Sequence, residues 1–382
     1  MSYPEYRPYP LGLPSPSFDS KITDLIIELD HLRKKEIRTA IHPVLFKQLV
    51  ELFHIVEGLA SARIEGNNTQ LLELLELESG LGANVSEEVR EIRNLENTLA
   101  FIDSVIGRRD IDLSFVFEIH QRIMEGLKPP PAGDGDSEAG KFRQVEVGIA
   151  KSSHLPPPPW EIRGQMDELL EFLGKSYPPK YDLIISAIVH HRFVWIHPFT
   201  NGNGRTVRML TYALLIKQGF KVNTKRILNP ASAFCLDRDQ YYKSLAKADR
   251  GDHDGILEWC FYMLNSLRKE FEKIDHLSDM TFLKTKILLP SIDFSYQKKF
   301  LTEVEWRILK MVAEKQLVQA DDFKDIFKNK LPQEISRQIR RLRQLNLLIP
   351  EKPNARKYVL NIRSDLLRMG LLYVFDKEGF LP

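Results

Sequence analysis

Cysteine is almost missing from this chain: among 382 residues there are only Cys235 and Cys260. Neither lies in a CxxC or Cys/His spacing, which excludes a disulfide scaffold and argues against structural zinc. Both read as buried apolar residues, and so few thiols fit a reducing compartment. Long apolar runs are missing too. No stretch of eighteen apolar residues occurs, and the opening MSYPEYRPYPLGLPSPSFDS lacks the charged-then-apolar order of a signal peptide, so the expectation is a cytoplasmic protein with no membrane partner. Charge of one sign is also lacking: 54 Lys+Arg against 52 Asp+Glu leave a net charge of +2, and only a local patch could attract nucleic acid. Finally, there is no GxxxxGK[ST] and no GxGxxG after a strand pattern, which removes the two commonest phosphate loops.

What is present is ample apolar sequence, 43% of the residues, enough for a large core and two domains. Residues 1–18, with prolines at positions 4, 8, 10, 14 and 16, read as an extended arm. From 19 to 275 the pattern is helical. Ile22, Leu25, Ile26 and Leu32 form one stripe, and a second helix opens at Pro43 and leads through Phe46, Leu49, Phe53 and Val56 into SARIEGNNT. Further helices are expected over Ser86–Val105 and Leu113–Leu127, where His120 reads as a packing or capping residue. In KFRQVEVGIAKSS, Val145, Val147 and Ile149 alternate with polar neighbours and predict a hairpin. Helices then follow at Trp160–Leu173 and Lys180–Val194. The adjacent His190 and His191 point about 100° apart on a helix and cannot chelate one ion together.

The stretch IHPFTNGNGRTVRML, residues 196–210, concentrates the chemistry. Pro198 pushes His197 out of the α region, so its ring stands at a helix exit facing a cleft. Gly202 and Gly204 permit a backbone whose N–H groups converge as an anion nest. A helix opening at Arg205 then points its positive end at the same place, with Arg205 and Arg208 three residues apart. Singly these features are weak, since GNG occurs in ordinary turns and a lone histidine is more often structural. Together they describe a base beside a polyphosphate cradle.

This string resembles the signature of the Fic (filamentation induced by cAMP) family, HPFx[D/E]GNGRxxR, matched at every fixed position but Asn201. The resemblance implies a mainly α fold, a Fic-type helical domain with a small β-hairpin flap. It implies transfer of AMP from ATP to a Ser, Thr or Tyr hydroxyl of a protein, with release of pyrophosphate. His197 would be the base, Gly202, Asn203 and Gly204 would hold the α- and β-phosphates, Arg205 would offset leaving-group charge, and Arg208 would bind the γ-phosphate. Tyr241 would line the adenine pocket, and Val145, Val147 and Ile149 would dock the target segment. Position 201 is usually acidic and holds the metal bridging the phosphates; an Asn there offers Mg²⁺ only a neutral oxygen. Ser61, Glu65 and Gly66 match the family's inhibitory motif [S/T]xxxE[G/N], which implies a Glu65–Arg208 pair blocking the γ-phosphate. Read without the resemblance, Glu65 at a helix C-terminus is either solvated or held by a cation elsewhere.

Residues 276–300 lose periodicity and read as a linker. Residues 301–382 then give helices at Glu303–Glu314, Gln319–Phe327 and Gln333–Leu345, followed by two strand-like runs around PEKPNARK. That order reads as a winged helix-turn-helix domain whose third helix, with Arg337, Arg340, Arg341 and Arg343, suits DNA. Such domains also serve as dimerisation or protein-docking modules, and a homodimer is among the expected assemblies. Two functions are therefore open: a self-inhibited protein adenylyltransferase, or a DNA-binding regulator whose Fic-like domain senses nucleotide.

Overall fold

The computed structural model describes residues 6–35, 40–70, 73, 86–149, 152, 154–220, 227–228, 230–324, 326–327 and 332–381. Residues 6–18 are an extended arm laid against the helical body. Tyr9 packs edge-on to Trp195 at 5.2 Å, its hydroxyl reaches His191 Nδ1 at 3.2 Å, and the Arg192 guanidinium lies over its ring.

The body is helical throughout. Helix α1 (Lys21–Lys34) is capped by Ser20, and α2 (Pro43–Glu65) has proline in its first turn and stops at Gly66, where φ is 111°. Helix α3 (Glu87–Val105) is capped by Ser86 and α4 (Leu113–Met124) by Asp112. These caps supply oxygen acceptors to the orphan N–H groups of the first turn. Then follow α5 (Pro159–Gly174), α6 (Asp182–Ile196), α7 (Asn203–Lys217), α8 (Pro230–Cys235), α9 (Arg238–Ala248) and α10 (His253–Asp275). Helices α6 and α7 are buried on nearly every side: α7 packs on α6, α4, α3 and α2. The loop joining these two buried helices carries the HPFTNGNGR string, so the rigid core itself aims that string.

Two expectations need correction. The segment 141–149 forms no strand; it is extended chain without a ladder partner among the described residues, and Val145 is 54% exposed. Residues 150, 151 and 153 of the expected hairpin lie outside the described residues. The supposed linker is helical: Met280–Phe282 runs through a π-helical stretch, Leu283–Leu288, into α11 (Leu289–Gln297). The π turns shift the register of apolar positions, which is why periodicity faded there.

The C-terminal module begins at α12 (Glu303–Lys315), closed at its start by a Thr302–Glu305 capping box. Strand β1 (Val318–Gln319), a short helical turn, α13 (Pro332–Gln344), β2 (Leu348–Pro350) and β3 (Lys357–Leu360) follow. The three strands lie antiparallel in the order β1-β3-β2, with Val318 opposite Tyr358 and Ile349 opposite Val359. A last helix not expected from the sequence, α14 (Asp365–Lys377), packs on α11. The module grips the N-terminal half of α2. Gln48 donates to Leu360 O at 3.0 Å and accepts from Ile362 N at 2.9 Å, Arg363 pairs with Glu51, and Phe53 meets Phe375 and Phe380 edge-on. Among the described residues no helix is long and apolar enough to cross a membrane.

Candidate active site

His197 ends α6 in the left-handed region, φ 51° and ψ 59°, which turns the chain sharply toward α7. Pro198 thus forces an exit from the α region, as expected, but into αL rather than an extended conformation. Its Nδ1 lies 3.2 Å from Val194 O, so Nδ1–H donates there and Nε2 keeps its lone pair. Burial pushes the ring pKa down to about 4, against a smaller opposing effect of the Val194 carbonyl, so the imidazole is neutral at pH 7.

The loop beyond is closed from inside. The Asn203 side chain exchanges two hydrogen bonds with the Phe199 backbone, at 2.9 and 2.8 Å. Phe199 stacks on His120 at 3.7 Å, and His120 Nε2 donates to Asn201 O at 3.0 Å while Nδ1 accepts from Gly140 N. His120 is therefore a prop under the loop, with its pKa lowered to about 4 by burial. Gly202 takes φ 74° directly above it, where a Cβ would strike Met124.

Arg208 Nε donates to Ser61 Oγ at 2.8 Å, and Nη2 donates to Ser61 O at 2.9 Å and to Glu65 Oε1 at 2.7 Å. Burial alone would raise the Glu65 pKa, but the Arg208 and Arg205 guanidiniums outweigh it and hold the carboxyl below its usual range. Arg208 Nη1 is buried and finds no hydrogen-bond partner among the described residues. A Cβ at Gly204 would collide with the Glu65 carboxylate, so only glycine lets the carboxylate approach the helix this closely.

His197, Gly204, Arg208 and Glu65 share one cavity of about 510 Å³. Its other walls are Gly148, Ile149 and Ser152 on one side and Arg238, Tyr241, Tyr242 and Asp249 on the other. A volume of this size falls in the range of small-ligand sites. Tyr241 stands on the wall but is 1% exposed, its hydroxyl 2.9 Å from His190 Nε2. Neighbouring Tyr242, half-buried, reaches Ile64 O with its hydroxyl at 3.2 Å. Val145 and Val147 lie outside the cavity wall, whereas Ile149 is part of it.

Arg143 joins the 141–149 segment to the loop. It donates from Nε to His197 O, from Nη1 to Val145 O and from Nη2 to Pro157 O, at 2.8, 2.8 and 2.6 Å, and its own N–H reaches Pro198 O. Sequence reasoning passed over Arg143; an arginine before a strand-like run carries no signal of three carbonyl partners.

Arg205 does not face this cavity. It is 2% exposed, with Nη1 on Glu91 Oε1 at 2.6 Å and Nη2 on Asp134 O at 2.8 Å. Asn201 is turned the same way: Nδ2 donates to Asp134 O and Gly135 O, and Oδ1 accepts from Gly202 N at 2.7 Å. The amide oxygen is thus spent on the loop's own N–H, and the donor set at position 201 does not fit a phosphate-bridging Mg²⁺.

Residues 110–215 match the family model described as Fic/DOC family. The chain is 27% identical over 235 residues to a Nematostella vectensis protein named protein adenylyltransferase Fic, covering 60% of this chain and 51% of that one. It is 29% identical over 202 residues to the Aedes aegypti protein of the same name, covering 50% and 36%. This chain therefore spans about half, or less, of the length of the curated relatives it matches. Among solved structures it is similar to a Fic family protein from Desulfovibrio desulfuricans G20, with TM-score 0.54 at 19% identity over 94% of this chain and 98% of that one. A Fic domain containing signaling protein from Bacteroides thetaiotaomicron VPI-5482 follows with TM-score 0.51 at 18% identity, covering 68% and 98%. Residues 110–215, which carry the loop and part of the cavity wall, are thus similar to the Fic/DOC family.

Proposed function

We propose that the protein is a protein adenylyltransferase that transfers AMP from ATP to a side-chain hydroxyl and is held off by its own Glu65. The observation that carries this reading is the single cavity shared by His197, with a free Nε2, and the buried, partnerless Nη1 of Arg208. In the reaction the hydroxyl oxygen of the target bonds to the α-phosphorus, the bond to pyrophosphate breaks, and the hydroxyl proton passes to His197 Nε2. The first-turn N–H groups of α7, Asn203 and Gly204 among them, hold the phosphates, and Arg208 binds the terminal one, while Gly202, whose N–H is held by Asn201 Oδ1, shapes the turn that aims them. Glu65 occupies Arg208 from the same side, which makes ATP and Glu65 competitors for one guanidinium. Tyr241 and Tyr242 form the wall for the base, and the segment 145–149 receives an extended target segment.

Labelling with ATP tests this. His197→Ala removes a base worth roughly 10²–10⁴-fold and abolishes labelling, while Glu65→Gly raises it. Equal labelling by wild type and Glu65→Gly overturns the inhibition, and undiminished labelling by His197→Ala overturns the mechanism.

A specific observation favours a second role for the C-terminal module, read as a winged helix. Arg337, Arg340 and Arg343 of α13 are exposed and make no ion pair among the described residues, leaving a cationic face free for duplex phosphates; Arg341 pairs with Glu305. Duplex binding that weakens steeply with salt and survives His197→Ala supports that role; absence of binding at low salt removes it.

A further inference from the structure

Glu91 of α3 is 4% exposed, and both its oxygens are committed in opposite directions. Oε1 accepts from Arg205 Nη1 at 2.6 Å, and Oε2 accepts from Asn67 Nδ2 at 2.7 Å. Arg205 opens the helix that follows the phosphate loop, and Asn67 stands two residues beyond Glu65. One buried carboxylate therefore ties the loop to the end of α2.

Both partners make further hydrogen bonds, with only Arg205 Nε lacking a partner among the described residues. Arg205 Nη2 holds Asp134 O and reaches Asn201 Oδ1 at 3.4 Å, which fixes the loop from behind. Asn67 Nδ2 also donates to Glu88 O at 3.0 Å, and its Oδ1 accepts from Thr69 N at 2.9 Å. The chain just after the left-handed cap Gly66 is thereby pinned to α3. Glu65 itself borders two cavities, the reaction cavity and a second of about 460 Å³ between α2, α3 and residues 132–134. It has room to withdraw, and the Asn67 pin opposes that withdrawal.

We propose that Glu91 is a positioning residue with two tasks: it orients Arg205 and, through Asn67, forms a second latch on the Glu65 plug. The proposal rests on the inhibited-adenylyltransferase reading. Arg205 then serves the reaction by holding the loop in shape rather than by touching pyrophosphate. Opening the plug breaks the Asn67 bond and leaves the Glu91–Arg205 pair intact, so the phosphate loop stays set while α2 lets go.

Asn67→Ala and Glu91→Gln, each in the wild-type and Glu65→Gly backgrounds, test it by initial labelling rate and by amide exchange at residues 62–69. Asn67→Ala should raise wild-type labelling roughly threefold to tenfold, the worth of one buried hydrogen bond, add little in Glu65→Gly, and speed exchange at 62–69. Glu91→Gln should speed the same exchange and, in Glu65→Gly, lower kcat at least about tenfold with KM for ATP little changed, a loss that Glu91→Asp partly restores. Exchange at 62–69 unchanged by Asn67→Ala overturns the latch. A Glu91→Gln loss confined to KM overturns the positioning role. Should Glu65→Gly label no faster than wild type, the inhibition reading fails, and the exchange result still decides the latch by itself.

Discussion

A histidine that ends one buried helix and starts a loop is kept neutral by its surroundings, and that has a measurable signature. With burial holding His197 near pKa 4 instead of 6.5, Nε2 stays unprotonated down to about pH 4. The acid limb of the labelling rate should therefore fall near pH 4, and a midpoint near 6.5 would mean a solvated ring in the working enzyme. Asn201 yields a second expectation. Asn201→Asp would set a carboxylate against Asp134 O and Gly135 O, both of which now receive Nδ2–H bonds, and should cost about 1–3 kcal/mol in urea denaturation. At this scale the sequence was readable where the geometry is local: His197, Gly204 and Arg208 lie within twelve residues and line one cavity. His120 was readable as a packing residue, but Arg143, Asn67 and Glu91 were not, since each acts through partners 24 to 114 residues away or through backbone carbonyls that any sequence offers.

Elements were legible when their own periodicity closed on a buried face. Helices α1 to α7, α12 and α13 declare themselves by spacing and by caps such as Ser86, Asp112 and Thr302, whereas the helix expected over Gln319–Phe327 begins as strand β1 and makes only a short turn at Ala320–Phe323. Alternation at Val145, Val147 and Ile149 misled because a strand needs a partner as well as a pattern. The π-helical Leu283–Leu288 hid a helix for the opposite reason, a face present with its period disturbed. Two substitutions test what holds elements together. Thr302→Ala removes the α12 capping box and should cost about 1 kcal/mol. Gln48→Ala strands the buried Leu360 O and Ile362 N and should cost about 2 kcal/mol or more, with both losses read from denaturant midpoints.

Across the whole molecule, buried titrating groups set a window of stability. His120 and His197, both depressed to about 4, favour the fold above pH 6.5 and lose that contribution as pH falls through 4. Glu57 acts in the other direction: burial, and Glu270 nearby, push its carboxyl up to about 8, despite hydrogen bonds from Ala231 N and Ser232 N and the charge of Arg208. Its contribution is complete below about 4.5 and is lost as pH rises through 8. Glu57→Gln should therefore match wild type in Tm near pH 5 and exceed it increasingly from pH 7 to 9; a constant Tm difference would show that Glu57 does not titrate in the fold. Glu57 lies on α2, between the Gln48 grip and the Glu65 carboxylate. That helix is a beam clamped at one end by the C-terminal module, and its other end, about 26 Å away at 1.5 Å per residue, is held by the Arg208 guanidinium, the Tyr242 hydroxyl and the Asn67 amide. Over that length a tilt of roughly four degrees displaces the tip by nearly two ångströms, enough to part a hydrogen-bonded ion pair. The cavity beside Glu65 thus inherits the mechanical tolerance of a joint on the far side of the molecule.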